Sequence, residues 1–281
     1  MNMKKTTQII ILIFSFLLIN HLQAQNIQWR RTEKSVAPLD LFHSTHAINL
    51  PTAETLQKGD FEFEISHRFI PPMKEGYRSF WGLDGPANIR LALGYAFMDE
   101  MTVTLGRTNL NNNLDLQIRY QLFRHADEHF PLLGLLNLGG AWNSYIGDRS
   151  NGDSRNFQYF AEFVLNTMFF KKLGLGIVPA YLYNSAIYNE EVKSSFTLGN
   201  YVQYYFSQFW SVLLEWNPTI SGWRDSFNSL SIGLEIETGG HFFKLFVTNN
   251  ATINPAQFLA GADRKFNNEG IRFGFLITRL L

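Results

Sequence analysis

Phe61-Glu62-Phe63-Glu64-Ile65-Ser66-His67-Arg68-Phe69 is the stretch on which the fold turns. Phe61, Phe63, Ile65, His67 and Phe69 alternate with Glu62, Glu64, Ser66 and Arg68. A helix cannot separate those two sets, whereas a strand points successive side chains to opposite faces. The same period of two recurs. Ile89, Leu91, Leu93, Tyr95 and Phe97 alternate with Asn88, Arg90, Ala92, Gly94 and Ala96. Leu114, Leu116, Ile118 and Tyr120 alternate with Asp115, Gln117, Arg119 and Gln121. Phe157 to Leu165, Leu230 to Ile236 and the closing stretch Ile271 to Leu281 repeat the pattern.

Outward from that stretch the pattern predicts about twelve strands, each near the length of a tilted membrane strand. Their bounds are 59–69, 87–97, 101–107, 114–123, 132–144, 156–169, 173–183, 195–206, 210–217, 229–238, 241–249 and 271–281. An even number lets an antiparallel sheet close on itself with both ends on one side. The connections alternate in length. Met98-Asp99-Glu100, Phe170-Lys171-Lys172, Ser207-Gln208-Phe209 and Gly239-Gly240 are tight. Ile70 to Pro86, Tyr145 to Arg155, Asn184 to Ser194, Pro218 to Asn228 and Asn250 to Gly270 are long. The fold class that follows is all-β, a closed antiparallel transmembrane barrel with short periplasmic turns and long extracellular loops.

Placing the short turns below puts Tyr95, Phe97, Tyr120, Phe169, Tyr204, Phe206 and Trp210 at the lower ends of the outward faces. Phe69, Trp142, Phe157, Tyr181, Tyr183, Phe196 and Trp216 fall at the upper ends. Two aromatic girdles emerge that the assignment did not assume. The competing arrangement is a soluble sandwich or lipocalin-like barrel, with apolar residues inward and polar residues outward. The small and charged set here is too sparse and glycine-rich to coat a soluble exterior.

The start of the chain agrees with this destination. Lys4 and Lys5, then the apolar run Ile9 to Ile19, then Leu22-Gln23-Ala24, predict a secretory signal peptide over 1–24, too short in its apolar core to span a bilayer. No Cys follows it, which closes the lipoprotein route. Residues 25–58 do not follow the barrel pattern. They carry the basic Trp29-Arg30-Arg31 and a mixed stretch from Leu39 to Leu56 with Pro51, and read as a periplasmic extension or a lumen plug. The barrel takes residues 59–281.

Composition narrows the function classes. The 281 residues hold 24 Lys+Arg and 24 Asp+Glu, a formal net charge of zero that disfavours nucleic acid as a partner. Aromatic residues are 15% of the chain, which disfavours disorder. With no Cys there are no disulfides, zinc–thiolate sites, iron–sulfur clusters, Cys nucleophiles or c-type haem attachment.

Several segments carry a family resemblance. They are Ser44-Thr45-His46, and Glu54-Thr55-Leu56-Gln57-Lys58-Gly59 running into Ile65-Ser66-His67-Arg68-Phe69. Gly82-Leu83-Asp84-Gly85, Ala87-Asn88-Ile89-Arg90-Leu91 and Leu105-Gly106-Arg107 form a second block. Thr248-Asn249, Asn254-Pro255-Ala256-Gln257-Phe258 and Ile271-Arg272-Phe273-Gly274-Phe275 form the last. Together they resemble a family of bacterial outer-membrane β-barrels, domain of unknown function 5777, familiar from Bacteroidota. The resemblance runs from about residue 40 to the C-terminus, with little motif in the middle third. The tail Thr278-Arg279-Leu280-Leu281 departs from it, since barrel assembly signals usually end in an aromatic residue. What the resemblance implies is an outer-membrane barrel, with no particular activity.

For catalysis, a Ser–His–Asp set needs three side chains converging on one wet rim. His67 shares the lipid-side face with Phe63, Ile65 and Phe69, and no Ser is placed on an adjacent outward face beside it, so it reads as a girdle residue. His241 reads the same way. Asp148, Asn151, Gly152 and Asp153 lack the register of a calcium loop, and the His125, Asp127, Glu128 and His129 cluster lacks a converging second group. No catalytic residue, metal site or cofactor is expected.

Function should lie on the inward face. Its acids are Asp60, Glu62, Glu64, Asp115, Glu162, Glu215, Glu235 and Glu237, and its bases Arg68, Arg90, Arg119, Lys244 and Arg272. Phe160, Tyr201, Tyr205, Phe242 and Phe246 add bulk. A barrel of this size, so filled, leaves at most a narrow passage. The candidate solute contacts are Arg68, Arg90, Arg272, Glu62, Glu64, Arg119, Glu235, Lys244, Tyr201 and Tyr205. Arg272, Arg68 and Arg90 fall on strands that become neighbours on closure, either as an anion-attracting vestibule or as one side of a charge ladder with Asp60, Glu62 and Glu64. The Gly239-Gly240 turn sets Glu235 opposite Lys244. The expected function is a narrow, substrate-selective channel or transporter for a small solute. The alternatives are a sealed structural or partner-binding barrel and, third, a lipid-modifying enzyme. The expected surroundings and partners are outer-membrane lipid, a small solute, or a periplasmic or surface protein.

Overall fold

The protein is described from a computed structural model covering residues 41–281. The signal peptide expected over 1–24, and residues 25–40 of the segment that follows it, lie outside the described residues. The strands are β1 (Phe61–Phe69), β2 (Ala87–Met98), β3 (Met101–Thr108), β4 (Asn113–His125), β5 (Leu132–Asn143), β6 (Phe157–Phe169), β7 (Leu173–Tyr183), β8 (Ser194–Tyr205), β9 (Trp210–Asn217), β10 (Thr219–Gly222), β11 (Ser229–Glu237), β12 (His241–Thr248) and β13 (Arg272–Leu280). Twelve of them form a closed antiparallel ring. Each of these pairs with its neighbours in sequence, β9 pairing directly with β11, and β1 and β13 join first to last. β10 continues β9 beyond Pro218 and adds to the upper end of β8. Closure is what hydrocarbon demands, because each backbone group left unpaired there costs several kcal/mol.

The side-chain distribution is that of a membrane barrel. On the outward faces Leu105 is 59% exposed and Leu245 58%. On the inward faces Arg119 is 3% exposed and Glu162 1%. A soluble barrel would show the reverse, so the exposed apolar surface belongs in lipid. The girdles lie in register. Phe61 is opposite Tyr95 with ring centroids 4.7 Å apart, and Trp142 is opposite Phe157 with rings stacked at 6.4 Å.

Turn chemistry fixes the register at one place with particular force. Gly239 and Gly240 have φ of +70° and +92°, a two-residue turn that residues with a Cβ rarely form. Thr238 N–H donates to the His241 carbonyl at 2.9 Å. From there Glu237 faces Phe242, Ile236 faces Phe243 and Glu235 faces Lys244.

One connection and the segment before β1 do not stay outside the ring. The long segment Asn250 to Gly270, expected as an extracellular loop, folds back so that Ile253 to Leu259 are buried. It holds a single helical turn, α1 (Pro255–Phe258), whose first turn is capped by Asn254 Oδ1 accepting from Gln257 N–H at 2.9 Å. Ile253, Phe258 and Leu259 are the reason: an extended loop would leave them in water, whereas the ring interior buries them. At the other mouth, Leu41, Phe42, Ala47, Ile48, Leu50 and Ala53 join the same buried cluster. The centre of this barrel is a packed core.

Candidate functional site

The inward face is organised around residues 41–58. Thr45 to Thr52 form a short hairpin. Ala47 N–H donates to the Leu50 carbonyl and Thr52 N–H to the Thr45 carbonyl, both at 2.9 Å, with His46 bridged to Pro51. Its depth in the ring follows from its contacts. Lys58 N–H reaches Asp99 Oδ1 in the β2–β3 turn, and His43 N–H reaches Tyr205 Oη at the foot of β8. Asn49 at the tip reaches Ser231 Oγ and is held by Arg68, near the opposite ends of their strands. Both limbs therefore open at the short-turn mouth and the tip points toward the long-loop mouth.

A polypeptide turn inside a barrel brings backbone donors and acceptors that need partners, each costing roughly 1–3 kcal/mol if left unsatisfied. Charged wall side chains supply many of them. The Glu215 carboxylate accepts from three consecutive amides, Ile48 N at 3.0 Å, Asn49 N at 2.8 Å and Leu50 N at 2.9 Å, and from Asn49 Nδ2 at 2.6 Å. Arg119 donates to the carbonyls of Thr45 at 2.9 Å, Thr52 at 2.6 Å and Glu54 at 3.1 Å. Asn166 Oδ1 accepts from Ala53 N–H at 2.7 Å, and Tyr201 Oη donates to the Pro51 carbonyl at 3.0 Å. Glu62 accepts from the Thr45 hydroxyl at 2.8 Å.

The wall also makes room. A Cβ at Gly174 would lie 2.7 Å from the Phe42 ring, and one at Gly199 would lie 2.6 Å from Leu50 Cδ1. Glycine at those positions lets the hairpin's apolar side chains come against the strands.

Glu235 and Lys244 stand opposite each other, as the turn predicted, with Lys244 Nζ 3.0 Å from Glu235 Oε2 and both side chains 1% exposed. Lys244 also donates to Ser44 Oγ and the His46 carbonyl, while Glu235 Oε1 accepts from Gln203 at 2.8 Å and lies 3.2 Å from His43 Nδ1. The pair is thus a foot for the hairpin's first limb.

Arg272, Arg68 and Arg90 do lie on adjoining strands. They do not share one environment. Arg90 bridges Glu64 at 2.6 Å and Asp115 at 2.8 Å. Arg272 forms a bidentate pair with Asp263 from the inward-folded segment, at 3.0 and 2.8 Å. Arg68 binds Asn49 and stands 4.3 Å over the Phe246 ring. All three are engaged within the protein. The space left among His46, Asn49, Glu64, Arg68, Arg90, Ile253 and neighbouring residues is about 10 Å³, room for one water.

Every residue expected to contact solute lies in this interior, and most of them touch the hairpin or a residue that does. Tyr201 and Tyr205 are hairpin contacts, as are Glu62 and Arg119. Glu64 and Arg90 pair with each other, and Arg272 with Asp263, apart from the hairpin. The sequence reading placed Glu215 among many lumen acids and missed its central part. It also passed over Asn49, Asn166 and Asp263. The available signal was modest: an Asn-Leu-Pro turn in a segment of buried-type residues, facing a wall with an excess of acids. Of the histidines considered for catalysis, His67 stacks on Phe275 at 4.4 Å. Among the described residues, no three His, Asp or Glu side chains are placed to hold a metal.

A closed twelve-strand ring, apolar outside and polar within, defines a transmembrane β-barrel of the outer-membrane type. The sequence profile described as "Membrane bound beta barrel domain (DUF5777)" matches residues 42–281, and the chain belongs to that family. No curated protein matches it. Among solved structures it is similar to the NanC porin, with 9% identity over 78% of this chain and 98% of that one, at a TM-score of 0.46. It is also similar to Omp33 of Acinetobacter baumannii, with 8% identity over 80% and 99% of the two chains and a TM-score of 0.40. LpxR of Salmonella typhimurium gives 7% identity over 79% and 99%, with a TM-score of 0.34.

Proposed function

We propose that this outer-membrane barrel works in a closed state, as an envelope component that engages another protein. One observation carries the reading. With the hairpin and the α1 segment in place, Ile48, Leu50, Phe258 and Leu259 join the inward-facing Phe160, Tyr201 and Phe246 in one buried cluster, and the space beside the arginines is about 10 Å³. The long-loop side offers a surface for such engagement, with Tyr77 83% exposed, Tyr145 68% and Tyr188 64%. Tyrosine suits this role because it brings a large rigid ring and a polar tip at small entropic cost. No catalytic step belongs to the proposal. The test is conductance of the purified full-length protein in planar bilayers. A closed barrel gives no steady single-channel current, and a steady pore in the unmodified protein overturns the reading.

The narrow solute channel is the second reading, favoured by the way the hairpin is held. Many of its contacts are hydrogen bonds between wall side chains and main-chain atoms, which water can replace. Channel activity would then follow only from release of the hairpin. Current that appears in hairpin-weakened variants and is absent from the unmodified barrel would support this form.

A further inference from the structure

The Glu215 carboxylate is bound like a ligand in a receptor, but with the roles reversed. The charge sits on the wall, and the three amides of Ile48, Asn49 and Leu50 come from the inserted turn. Much of the recognition has the same character, beside the side-chain contacts of Arg68 to Asn49, Glu62 to Thr45, Lys244 to Ser44 and Glu235 to His43. Arg119 reads three carbonyls, Tyr201 reads one, Asn166 reads one amide and Tyr205 accepts another from His43. These wall groups contact main-chain atoms. A site built that way recognises the shape and the exposed donors of a turn more than its side chains.

We propose that the lumen is a binding site for polypeptide turns, occupied here by the protein's own hairpin and open to a second turn-forming peptide that enters through the short-turn mouth. Three features support it. The seat is pre-formed in the wall, with Gly174 and Gly199 leaving hollows for two apolar side chains. The anchoring carboxylate is 1% exposed and sits on β9, a fixed strand. Within the described residues both limbs of the occupant face one mouth, so its exchange needs no opening of the ring. The ligand class is a peptide with a tight turn offering three consecutive N–H groups. The proposal goes beyond the closed-barrel reading, and its readout is independent of ion current.

The chain has no Cys, so one introduced thiol reports on the hairpin alone. Ala47→Cys, at a hairpin position whose side chain makes no hydrogen bond, in the full-length protein in nanodiscs, which leave both mouths accessible, is treated with a bulky hydrophilic maleimide. Labelling should be slow, because Ala47 is buried. A synthetic peptide spanning residues 41–54, which includes both Phe42 and Leu50, in large excess, should raise the labelling rate at least tenfold by holding the lumen when the hairpin leaves. The same peptide methylated on the nitrogens of residues 48, 49 and 50 should have no effect. Glu215→Gln should raise labelling without peptide and weaken the peptide's effect. If that variant does not fold, Asn49→Ala in the hairpin should give the same rise. Heat-modifiable migration confirms an intact ring in each case. Labelling that the peptide leaves unchanged in both the native-wall and weakened-hairpin backgrounds overturns the proposal. Equal activity of the methylated peptide overturns it as well.

Discussion

Glu235 and Lys244 form a fully enclosed ion pair, 3.0 Å apart and directly opposite each other on β11 and β12. Each also touches the hairpin, so the pair joins the wall to the inserted segment. Removing one partner strands a charge away from water, which typically costs 3–5 kcal/mol. Lys244→Met should therefore destabilise the folded barrel by about that amount, and Glu235→Gln/Lys244→Met together by clearly less than the two single changes added. Urea titrations of folding into lipid vesicles would measure this. Strict additivity would show that the pair carries no coupling.

Gly176 should not tolerate a side chain. A Cβ there would lie 2.1 Å from Tyr201 Cζ, inside a rigid ring. Moving that ring breaks its bonds to the Pro51 carbonyl and to Asn166 Nδ2, at 3.0 and 2.6 Å. Gly176→Val is expected to cost roughly 1–3 kcal/mol by overpacking. Protease sensitivity of the hairpin should rise with it. An unchanged denaturation midpoint and unchanged proteolysis would show that Tyr201 has room to yield.

Loss of the last strand should abolish the protein. β13 pairs with both β1 and β12 and is the seam of the ring. Deleting residues 272–281 leaves two strand edges facing hydrocarbon, at several kcal/mol per unpaired group. No heat-modifiable species should reach the outer membrane. Normal amounts of folded, truncated protein would contradict a ring closed through β13.

The loop between β5 and β6 carries a pH-dependent clasp. Asp153 accepts from Arg155 Nη2 at 2.7 Å, from Nε at 3.0 Å and from its backbone N–H at 2.9 Å. These bonds hold its carboxyl down at about 2, first through the Arg155 side chain and then through the backbone. An acid whose pKa is depressed on folding stabilises the loop at pH values above its unfolded pKa, near 3.9, and loses that stabilisation as pH falls through about 2. The carboxyl carbon of Asp153, followed by NMR, should titrate near 2. A midpoint at the ordinary aspartate value would mean that the clasp is open in solution.

The ring was readable because hydrocarbon imposes a strict rule on it. Period two in Phe61 to Phe69 and its repeats located the strands, and the Gly239-Gly240 turn fixed one register to the residue. The interior obeyed no comparable rule. The hairpin's main-chain contacts leave little trace in sequence, since amides and carbonyls are common to every residue. Arg68, Arg90 and Arg272 were placed on one wall, but their partners Asn49, Asp115 and Asp263 come from distant segments that periodicity cannot bring together. The segment around Asn254-Pro255 looked like an outer loop because its turn residues are those of any loop. Its burial became visible only once the ring around it was built.

The hairpin is a finger and not a thread. Its tip goes in and, within the described residues, both limbs open toward the same mouth, so no part of the described hairpin passes through the ring from one side to the other. Assembly is therefore free of any topological order: the β1–β13 seam can close on an empty interior and receive the finger afterwards, or close around it, and reach the same state. The reverse also holds. Withdrawing the finger would require no strand to part, so an emptied form would keep the same unbroken ladder of backbone bonds and differ only in what the interior holds.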